Sequence, residues 1–326
     1  MNIRKIIVLM FTVFLFTACG KKEIQKFTES RFLFGTYIQI IVYSDNEKEA
    51  KDAMNAAFER IGEIDSKYNS KSRGSVIYNL NNSEKKEAVL DDEGKMLFEE
   101  VKKVYDLSHG KYDITISPLL EVWGFYTDGR ESVPNEDELK EALKHIDFDK
   151  VELKNNILVI NEPVKEIDTG SFLKGYAVEE AKKVLAERGI KHAFVSSVSS
   201  ISTEGGKPDG TPWKIGIQNP DISNEILGIA EVEGRALGIS GDYQIYVEIN
   251  GKKYHHIMDK ETGYPIDSKK LVAVICDSAF LADMYSTAFF SMETDEIFQI
   301  AERENLEVMI VDDRNQIKMT KSFHLK

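Results

Sequence analysis

The sequence predicts an α+β fold with a largely antiparallel or mixed sheet, and three observations support this. Segments with strand alternation and segments with helical spacing follow each other irregularly, which argues against a regular βαβ array. Several strand pairs are joined by short Asn-containing turns, the usual signal of a hairpin. With 326 residues, 42% hydrophobic and 30% charged, the chain can bury a sizeable core in one large domain or two modest ones.

The first residues of the chain differ from the rest. A basic start, MNIRK, is followed by the apolar run of residues 6–16, and small residues lead to Cys19. The run is too short for a permanent membrane span. It resembles a bacterial lipoprotein signal, cleaved before Cys19, which is then lipidated; a plain secretory signal with an incidental cysteine is the alternative. We therefore expect a signal peptide at 1–18, a polar tether at 19–30 and one domain at 31–326.

Both interpretations of the leader place the mature protein outside the cytoplasm, and the first anchors it by lipid to the cell membrane. Once Cys19 is acylated, Cys276 is the only remaining thiol, so we expect no internal disulfide. The formal net charge of −13 argues against a nucleic-acid partner, because phosphate contacts require a basic surface.

The first half of the chain is predicted to contain one strand segment and three helices. Residues 31–44 are rich in β-branched and aromatic side chains and predict a strand. Residues 47–69 and 91–108 have the apolar spacing of amphipathic helices, and 134–145 form a short acidic helix opened by proline. Residues 69–83 combine Ser, Asn and Gly and predict a loop.

The second half is predicted to be richer in strands. A hairpin turns at Asn155-Asn156, and residues 165–189 run from a strand through a tight turn into a helix that ends at Gly189. A second hairpin turns at Asn250-Gly251. The remaining predicted elements are the strands 212–218, 227–234, 242–249, 252–258 and 271–276 and a helix at about 278–292.

Two of the six histidines are adjacent, just before the polar turn DKETG. Strand alternation sends His255 and His256 to opposite faces, so only one of them easily reaches a given site. They are therefore not two metal ligands on one face. One interpretation is that both are ordinary strand residues whose hydrogen bonds are satisfied. The alternative is that a histidine near the carboxylate of Asp259 acts as a general base near neutral pH.

The stretch IDTGSFLKG, residues 167–175, lies at a predicted strand-to-helix turn. Free backbone N–H groups, the helix dipole and Lys174 make this corner suitable for holding a phosphate. Many helices begin in the same way with Asp or Ser acting only as caps, and that alternative stays open.

The stretch LADMYSTAFF, residues 281–290, lies in a predicted helix. Asp283 and Thr287 are four residues apart and stack on one mostly apolar face. A carboxylate there is costly unless it is paired or binds a cation, and Mg²⁺ suits such a site when phosphates complete its shell. An Asp283 that is hydrogen-bonded to a neighbouring strand is the alternative.

A fourth stretch, GKYDITISPLLEVWGF at 110–125, is rich in aromatic residues. By itself it is either a wall for a planar ligand or ordinary core. Three further stretches stand in register with these: FGT at 34–36, the PW-x-x-GI-x-x-P pattern at 212–220 and SGDY at 240–243. The histidine stretch extends in the same way to YHHIMDKETGYPI at 254–266.

Together these stretches, from about Phe32 to Phe290, resemble the ApbE family of FAD:protein FMN transferases. The resemblance implies an ApbE-like (T-fold-like) α+β fold with a flavin site in a cleft between lobes. It implies that the protein binds FAD with Mg²⁺, splits the pyrophosphate, transfers FMN to a Thr or Ser hydroxyl of a target protein and releases AMP. The implied target is a membrane or extracellular flavoprotein of electron transport.

The resemblance also implies roles for individual residues. His256 matches the catalytic histidine. Asp283 and Thr287 match metal ligands, Ser171 matches the position whose backbone carbonyl joins them, and Ser286 lies where some members carry another acidic ligand. The positions that match residues near the flavin are Phe34, Tyr68, Lys111, Tyr112, Asp113, Asp168, Lys174 and Met258.

The sequence departs from the family at residues 196–202, SSVSSIS. Val198 and Ser199 stand where the family usually has two glycines, which restricts the backbone and adds side-chain bulk. Slow transfer or a different acceptor would follow. Two other hypotheses are a Mg²⁺-dependent FAD pyrophosphatase that gives FMN and AMP, and a lipoprotein that binds FAD without chemistry.

Overall fold

A computed structural model describes residues 23–127 and 129–326 of the chain. The predicted signal peptide and Cys19 lie outside the described residues. The strands are β1 Gln25–Leu33, β2 Thr36–Ser44, β3 Glu87–Val89, β4 Val151–Lys154, β5 Ile157–Ile160, β6 Ala193–Ser196, β7 Ser200–Glu204, β8 Trp213–Gln218, β9 Ile226–Val232, β10 Ala236–Gly241, β11 Tyr246–Ile249, β12 Lys252–His255, β13 Lys269–Cys276, β14 Glu307–Asp312 and β15 Ile317–Met319. The helices are α1 Glu47–Tyr68, α2 Val76–Asn82, α3 Asp92–Leu107, α4 Ser117–Val122, α5 Glu136–Leu143, α6 Leu173–Glu187, α7 Ala279–Phe290 and α8 Thr294–Arg303, with a 3₁₀ turn at Phe148–Lys150.

The central element is an eight-stranded sheet in the order β1-β2-β6-β7-β10-β13-β14-β15. Every neighbouring pair in it is antiparallel. Three smaller antiparallel units, β3-β5-β4, β8-β9 and β11-β12, complete the strands of the described chain. The predicted α+β fold with antiparallel sheets is confirmed.

Helices α1, α6 and α7 pack on one face of the large sheet and form the main core. Strand alternation turns Ile40 and Val42 of β2 inward, and the 3.6-residue period does the same for Ile61 of α1 and Ala177 of α6. Among the described residues, no helix is both long and apolar enough to cross a membrane.

The opposite face of the sheet is covered by the β8-β9 ribbon. Ile217 and Ala230 of the ribbon pack with Leu237 of β10 and Ala273 of β13 in a second core. Strand β13 is therefore buried on both sides, which explains why its sequence LVAVIC is continuously apolar instead of alternating.

A smaller lobe is built from α4, α5 and the β11-β12 ribbon. Its core contains Leu119, Leu139, Ile249 and Trp123, and the Trp123 side chain is fully buried. The indole N–H of Trp123 donates to the carbonyl of Gly263 at 2.8 Å, which anchors the loop after β12 to α4.

Several element boundaries differ from the sequence prediction. Residues 25–30, assigned to the tether, begin β1, because an edge strand needs only alternate apolar positions such as Phe27. Helix α2 lies within the predicted loop 69–83; Ser75 caps it, and Ile77 and Leu80 are its buried contacts. Strand β12 ends at His255 instead of residue 258.

Helix α7 lies directly on β10, and we expect Gly238→Ala to separate them. A β-carbon at Gly238 would lie 2.3 Å from the carbonyl oxygen of Ala282 and 2.8 Å from the backbone nitrogen of Asp283. The resulting strain should lower the free energy of unfolding by about 1–3 kcal/mol in urea titrations. Gly62→Ala in α1 is the control, because no atom lies within 4 Å of its β-carbon position and it should stabilise by about 0.5–1 kcal/mol. Equal midpoints for the two variants would contradict this account.

Candidate active site

A cavity of about 520 Å³ opens between the ends of α6 and α7, the β1-β2 turn and the smaller lobe. This volume is within the range of small-molecule and cofactor sites. Most of the residues predicted from the sequence line it: Phe34, Lys111, Tyr112, Asp113, Asp168, Ser171, Lys174, His256, Met258, Asp283 and Thr287.

The two adjacent histidines have different surroundings. His255 is buried; its Nδ1 accepts the N–H of Ile257 at 3.2 Å, so its Nε2 carries the proton and donates to the carbonyl of Ile266 at 2.7 Å. Its ring packs edge-on against Phe290. Burial lowers the pKa of His255, and both ring nitrogens are engaged. His255 is therefore a satisfied core residue.

His256 lines the cavity instead. Its Nδ1 lies 3.2 Å from the carbonyl oxygen of Ile245, which can only accept, so Nδ1 carries the proton and Nε2 keeps its lone pair. Burial lowers the pKa of His256 to about 4, and the charge of Lys174 acts in the same direction. The imidazole is thus neutral at pH 7 and available as a proton acceptor.

Asp259 does not assist His256 as the sequence predicted. Its carboxylate accepts the N–H of Glu261 at 2.8 Å, and its own N–H donates to the carbonyl of Tyr264 at 2.8 Å. A short acidic side chain at the start of a turn satisfies the backbone of that turn first. The partner of His256 is a backbone carbonyl.

Asp283 is a buried carboxylate in the interior of α7, with only 5% of its surface exposed. Its Oδ2 accepts the N–H of Gly175 at 2.9 Å, and it forms no ion pair with any Lys, Arg or His of the described chain. Burial raises the pKa of Asp283, although the charge of Lys174 opposes the shift. A buried carboxylate in this state favours a bound cation.

Thr287 of the same helix and Ser171 of the turn before α6 line the cavity together with Asp283. Thr287 lines the cavity one helical turn further on, with Oγ1 3.2 Å from Ser240 Oγ. Gly175 donates to Asp283, and no donor of the described chain bonds the Ser171 carbonyl four residues before it. Carboxylate, hydroxyl and carbonyl oxygens are the donors that Mg²⁺ prefers, so these residues fit that ion.

Two further observations bear on the predicted metal ligands. Ser286 is fully buried, donates to the carbonyl of Asp283 at 3.0 Å and lies 2.9 Å from Ser240 Oγ, so it packs against β10 and does not line the cavity. The described residues contain no group of three or more His, Cys, Asp or Glu suited to a metal. A cation at Asp283 would therefore need further oxygens from its ligand.

The turn before α6 is organised by Asp168. Its carboxylate accepts the N–H of Gly170 at 2.5 Å and the hydroxyl of Tyr126 at 2.9 Å. Lys174 donates from Nζ to the carbonyl of Gly170 at 2.7 Å, at the first turn of the helix. Positive charge and helix N-terminus thus coincide at the cavity wall, as the phosphate hypothesis requires.

Asp113 lines the cavity, but its carboxylate is occupied. Oδ1 accepts the N–H of Thr115 at 2.9 Å and its hydroxyl at 2.6 Å, while Oδ2 accepts the N–H of Phe148 at 3.3 Å and pairs with Lys260 Nζ at 2.9 Å. These bonds hold the loop 110–116 in place. Its neighbour Tyr112 is also buried, and its hydroxyl lies 2.8 Å from Ser171 Oγ.

The prediction that Tyr68 lies near the flavin does not agree with the structure. Tyr68 ends α1 inside the main core, and its hydroxyl donates to Asp91 and Glu93 at the start of α3. The helical period turns it away from the cavity, which it does not line. Phe34, by contrast, reaches the cavity from the β1-β2 turn, with φ of 53° and its N–H 3.2 Å from Asp65.

The segment that replaces the two family glycines is the β6-β7 turn. Ser197 N–H bonds the carbonyl of Ser200 at 2.9 Å, and Ile239 N–H bonds that of Ser199 at 2.8 Å. Val198 and Ser199 line the cavity, and Val198 is 68% exposed. An apolar side chain thus stands at the mouth of the cavity.

Two residues whose contacts hold the walls of this cavity were not predicted from the sequence. Tyr126, which holds Asp168, follows directly after the stretch ending at Phe125, and its aromatic character was the available signal. Lys260 lies inside the DKETG turn, but nothing local indicates its partner 147 residues away.

Comparison with known proteins identifies the family. The sequence profile of the ApbE family matches residues 34–310. The chain belongs to the ApbE family. The FAD:protein FMN transferase of Haemophilus influenzae is 29% identical over 239 residues, covering 71% of this chain and 69% of that protein. The enzyme of the same name from Vibrio cholerae is 29% identical over 215 residues, covering 65% of this chain and 64% of its own length.

Solved structures of ApbE proteins share this fold. The ApbE protein of Thermotoga maritima superposes with a TM-score of 0.84 at 28% identity, covering 91% of this chain and 98% of that one. The flavinyl transferase ApbE of Pseudomonas stutzeri gives 0.77 at 27% identity, covering 92% and 95%. The predicted family and the predicted fold are both confirmed.

The variant Asp283→Asn tests how the buried carboxylate of Asp283 affects the stability of the protein. Because the folded-state pKa of Asp283 is raised, its ionised form destabilises the metal-free protein as pH rises through that pKa. The amide variant should therefore melt at a higher temperature than the wild type at pH 7, and this advantage should shrink as pH falls toward 4.

The same variant should lose stabilisation by Mg²⁺. Adding millimolar MgCl₂ with FAD should raise the melting temperature of the wild type more than that of Asp283→Asn. Asp242→Asn is the control, because Asp242 also has a raised pKa, of about 6, but does not line the cavity. Equal Mg²⁺ responses of the wild type and Asp283→Asn would exclude Asp283 as a ligand.

Proposed function

We propose that this protein transfers FMN from FAD to a Thr or Ser hydroxyl of a target flavoprotein, in a Mg²⁺-dependent reaction that releases AMP. The observation that carries the proposal is that neutral His256 and the buried carboxylate of Asp283, which forms no ion pair within the described residues, line one cavity. The names of the related proteins support the flavin donor and the transfer of FMN.

His256 acts as the general base. Its Nε2 accepts the proton of the acceptor hydroxyl while the hydroxyl oxygen bonds to the FMN phosphorus. The bond from that phosphorus to the bridging oxygen of the diphosphate breaks, and AMP leaves with this oxygen. The hydrogen bond from Nδ1 to the carbonyl of Ile245 fixes the tautomer that leaves Nε2 free.

Asp283, Thr287 and the carbonyl of Ser171 would hold the metal. Mg²⁺ bound there would neutralise negative charge on the diphosphate. Lys174 and the N-terminus of α6 bind phosphate oxygens from the same side of the cavity. These groups attract the charged part of FAD and orient it toward His256.

A second candidate function is hydrolysis of FAD to FMN and AMP. The exposed Val198 at the cavity mouth favours it, because a bulky turn there hinders a protein acceptor more than it hinders water. AMP formed without any acceptor would identify this activity. Bound FAD that survives prolonged incubation with Mg²⁺ would indicate a binding protein without chemistry.

We also propose that the protein works outside the cytoplasm, held to the membrane by a lipid on Cys19. The basic and apolar leader that ends at this cysteine supports this location. Metabolic labelling of cells with a palmitate analogue should label the wild type and not Cys19→Ala.

His256→Gln should abolish transfer without preventing FAD binding. The glutamine amide can still donate to the carbonyl of Ile245, but it cannot accept a proton, so we expect the rate to fall about 10²–10⁴-fold. The purified variant, FAD, Mg²⁺ and a candidate acceptor flavoprotein are incubated, and the acceptor is weighed by mass spectrometry. FAD binding is measured separately by flavin fluorescence.

His109→Gln provides the control for this variant, because His109 is exposed, pairs with Glu296 and does not line the cavity. It should transfer FMN as the wild type does. If His256→Gln kept wild-type transfer, the role of His256 as base would be refuted. If the wild type added no FMN mass to any acceptor, the transferase proposal would fail.

The pH dependence of AMP release provides a further test. Because burial lowers the pKa of His256 to about 4, the base stays unprotonated as pH falls from 7 to 5 and is lost only as pH falls through about 4. At saturating Mg²⁺, kcat/KM should therefore remain nearly constant down to pH 5. An acid limb centred at 6.5, the value of an ordinary histidine, would contradict the assignment.

A further inference from the structure

The ion pair between Lys260 and Asp113 joins two walls of the cavity. The nitrogen Nζ of Lys260 lies 2.9 Å from Oδ2 of Asp113, and the Asp113 side chain is only 1% exposed. The Lys260 ammonium also lies 5.3 Å from the ring centre of Tyr105. Since Thr115 and Phe148 fill the other positions around the carboxylate, Asp113 has little capacity left to bind a ligand directly.

The first wall is the segment that follows β12. Lys260 comes four residues after His256 and two after Met258, both of which line the cavity. The tip of this segment is closed by the N–H of Gly263 bonding to the carbonyl of Asp259 at 2.8 Å. On its other side, the tip is held to the residue that follows α4 by the bond from Trp123 to Gly263.

The second wall is the loop between α3 and α4. Lys111, Tyr112 and Ile114 line the cavity on either side of Asp113. In sequence this loop is 147 residues from Lys260, so no local structure fixes its distance from the first wall. Within the described residues, this ion pair is the direct hydrogen bond between the tip and this loop, and it is mostly shielded from water.

We propose that Lys260 is a positioning residue, whose ion pair with Asp113 sets the separation of the two walls and so the placement of His256 and Met258 against the bound flavin. The identity of this ligand rests on the proposed function. Removing Lys260 leaves a buried carboxylate without a counter-charge, and the tip moves to relieve it. The separation of the two walls then no longer matches the bound ligand, and the affinity for that ligand falls.

Lys260→Met keeps the length of the side chain and removes its charge. We expect this variant to raise the Kd for FAD, measured by flavin fluorescence at fixed MgCl₂, about tenfold. Lys260→Arg should restore the affinity to within about twofold of wild type, because guanidinium also pairs with carboxylate. The control is Lys51→Met, which removes an exposed pair with Glu47 on α1 and should bind FAD as wild type does.

A double-mutant cycle distinguishes a positioning role of the Lys260–Asp113 pair from an independent role of Asp113 in FAD binding. The variants are Lys260→Met, Asp113→Asn and both together, and each is first checked for a cooperative thermal transition. The double variant leaves no buried charge unpaired, so it should fold even if Lys260→Met does not. It should lose no more FAD affinity than the more affected single variant.

Three results would overturn the proposal. They are wild-type FAD affinity in Lys260→Met, no rescue by Lys260→Arg, or a loss in the double variant equal to the product of the single losses. A wild-type protein that binds no FAD would instead overturn the proposed function together with this inference, which distinguishes the two failures.

Discussion

The hydrogen bond from the backbone N–H of Gly175 to the carboxylate of Asp283 is the contact on which the site depends. It joins the first turn of α6 to the interior of α7. A β-carbon on residue 175 would lie 2.4 Å from the carbonyl oxygen of Ala279 and 2.6 Å from the β-carbon of Asp283, so only glycine permits the two helices to approach this closely. Because the N–H is used across the interface, the carbonyl of Ser171, four residues earlier, accepts no hydrogen bond within the described residues.

The electrostatics of the cavity follow from this contact and from burial. Burial raises the pKa of the Asp283 carboxylate, which forms no ion pair within the described residues, and burial also keeps the imidazole of His256 neutral. Lys174 acts on both groups: it opposes the shift at Asp283 and strengthens the shift at His256. One lysine at a helix N-terminus therefore favours the ionised acid and the neutral base in the same cavity.

Local patterns in the sequence predicted a large part of this arrangement. The Asn250-Gly251 turn predicted the hairpin. His255 and His256 have different surroundings as expected, although β12 ends at His255 and His256 follows it. The four-residue spacing placed Asp283 and Thr287 on one helical face. Contacts between distant segments were not predictable: Gly175 and Asp283 are 108 residues apart, and Lys260 and Asp113 are 147 apart. Tyr68 was misplaced for the same reason, since a helical period gives the direction of a side chain but not what it meets.

If the protein is anchored by lipid as proposed, the early start of β1 limits how far its cavity can lie from a bilayer. If Cys19 carries the lipid, the few residues before Gln25 span at most roughly 20 Å. The nine residues of β1 then extend about 30 Å to the turn at Phe34, which forms part of the cavity wall. With the proposed anchor and the proposed transfer, the strand would set the reach of the cavity, and acceptor hydroxyls within about 50 Å of the lipid surface are the ones it could modify.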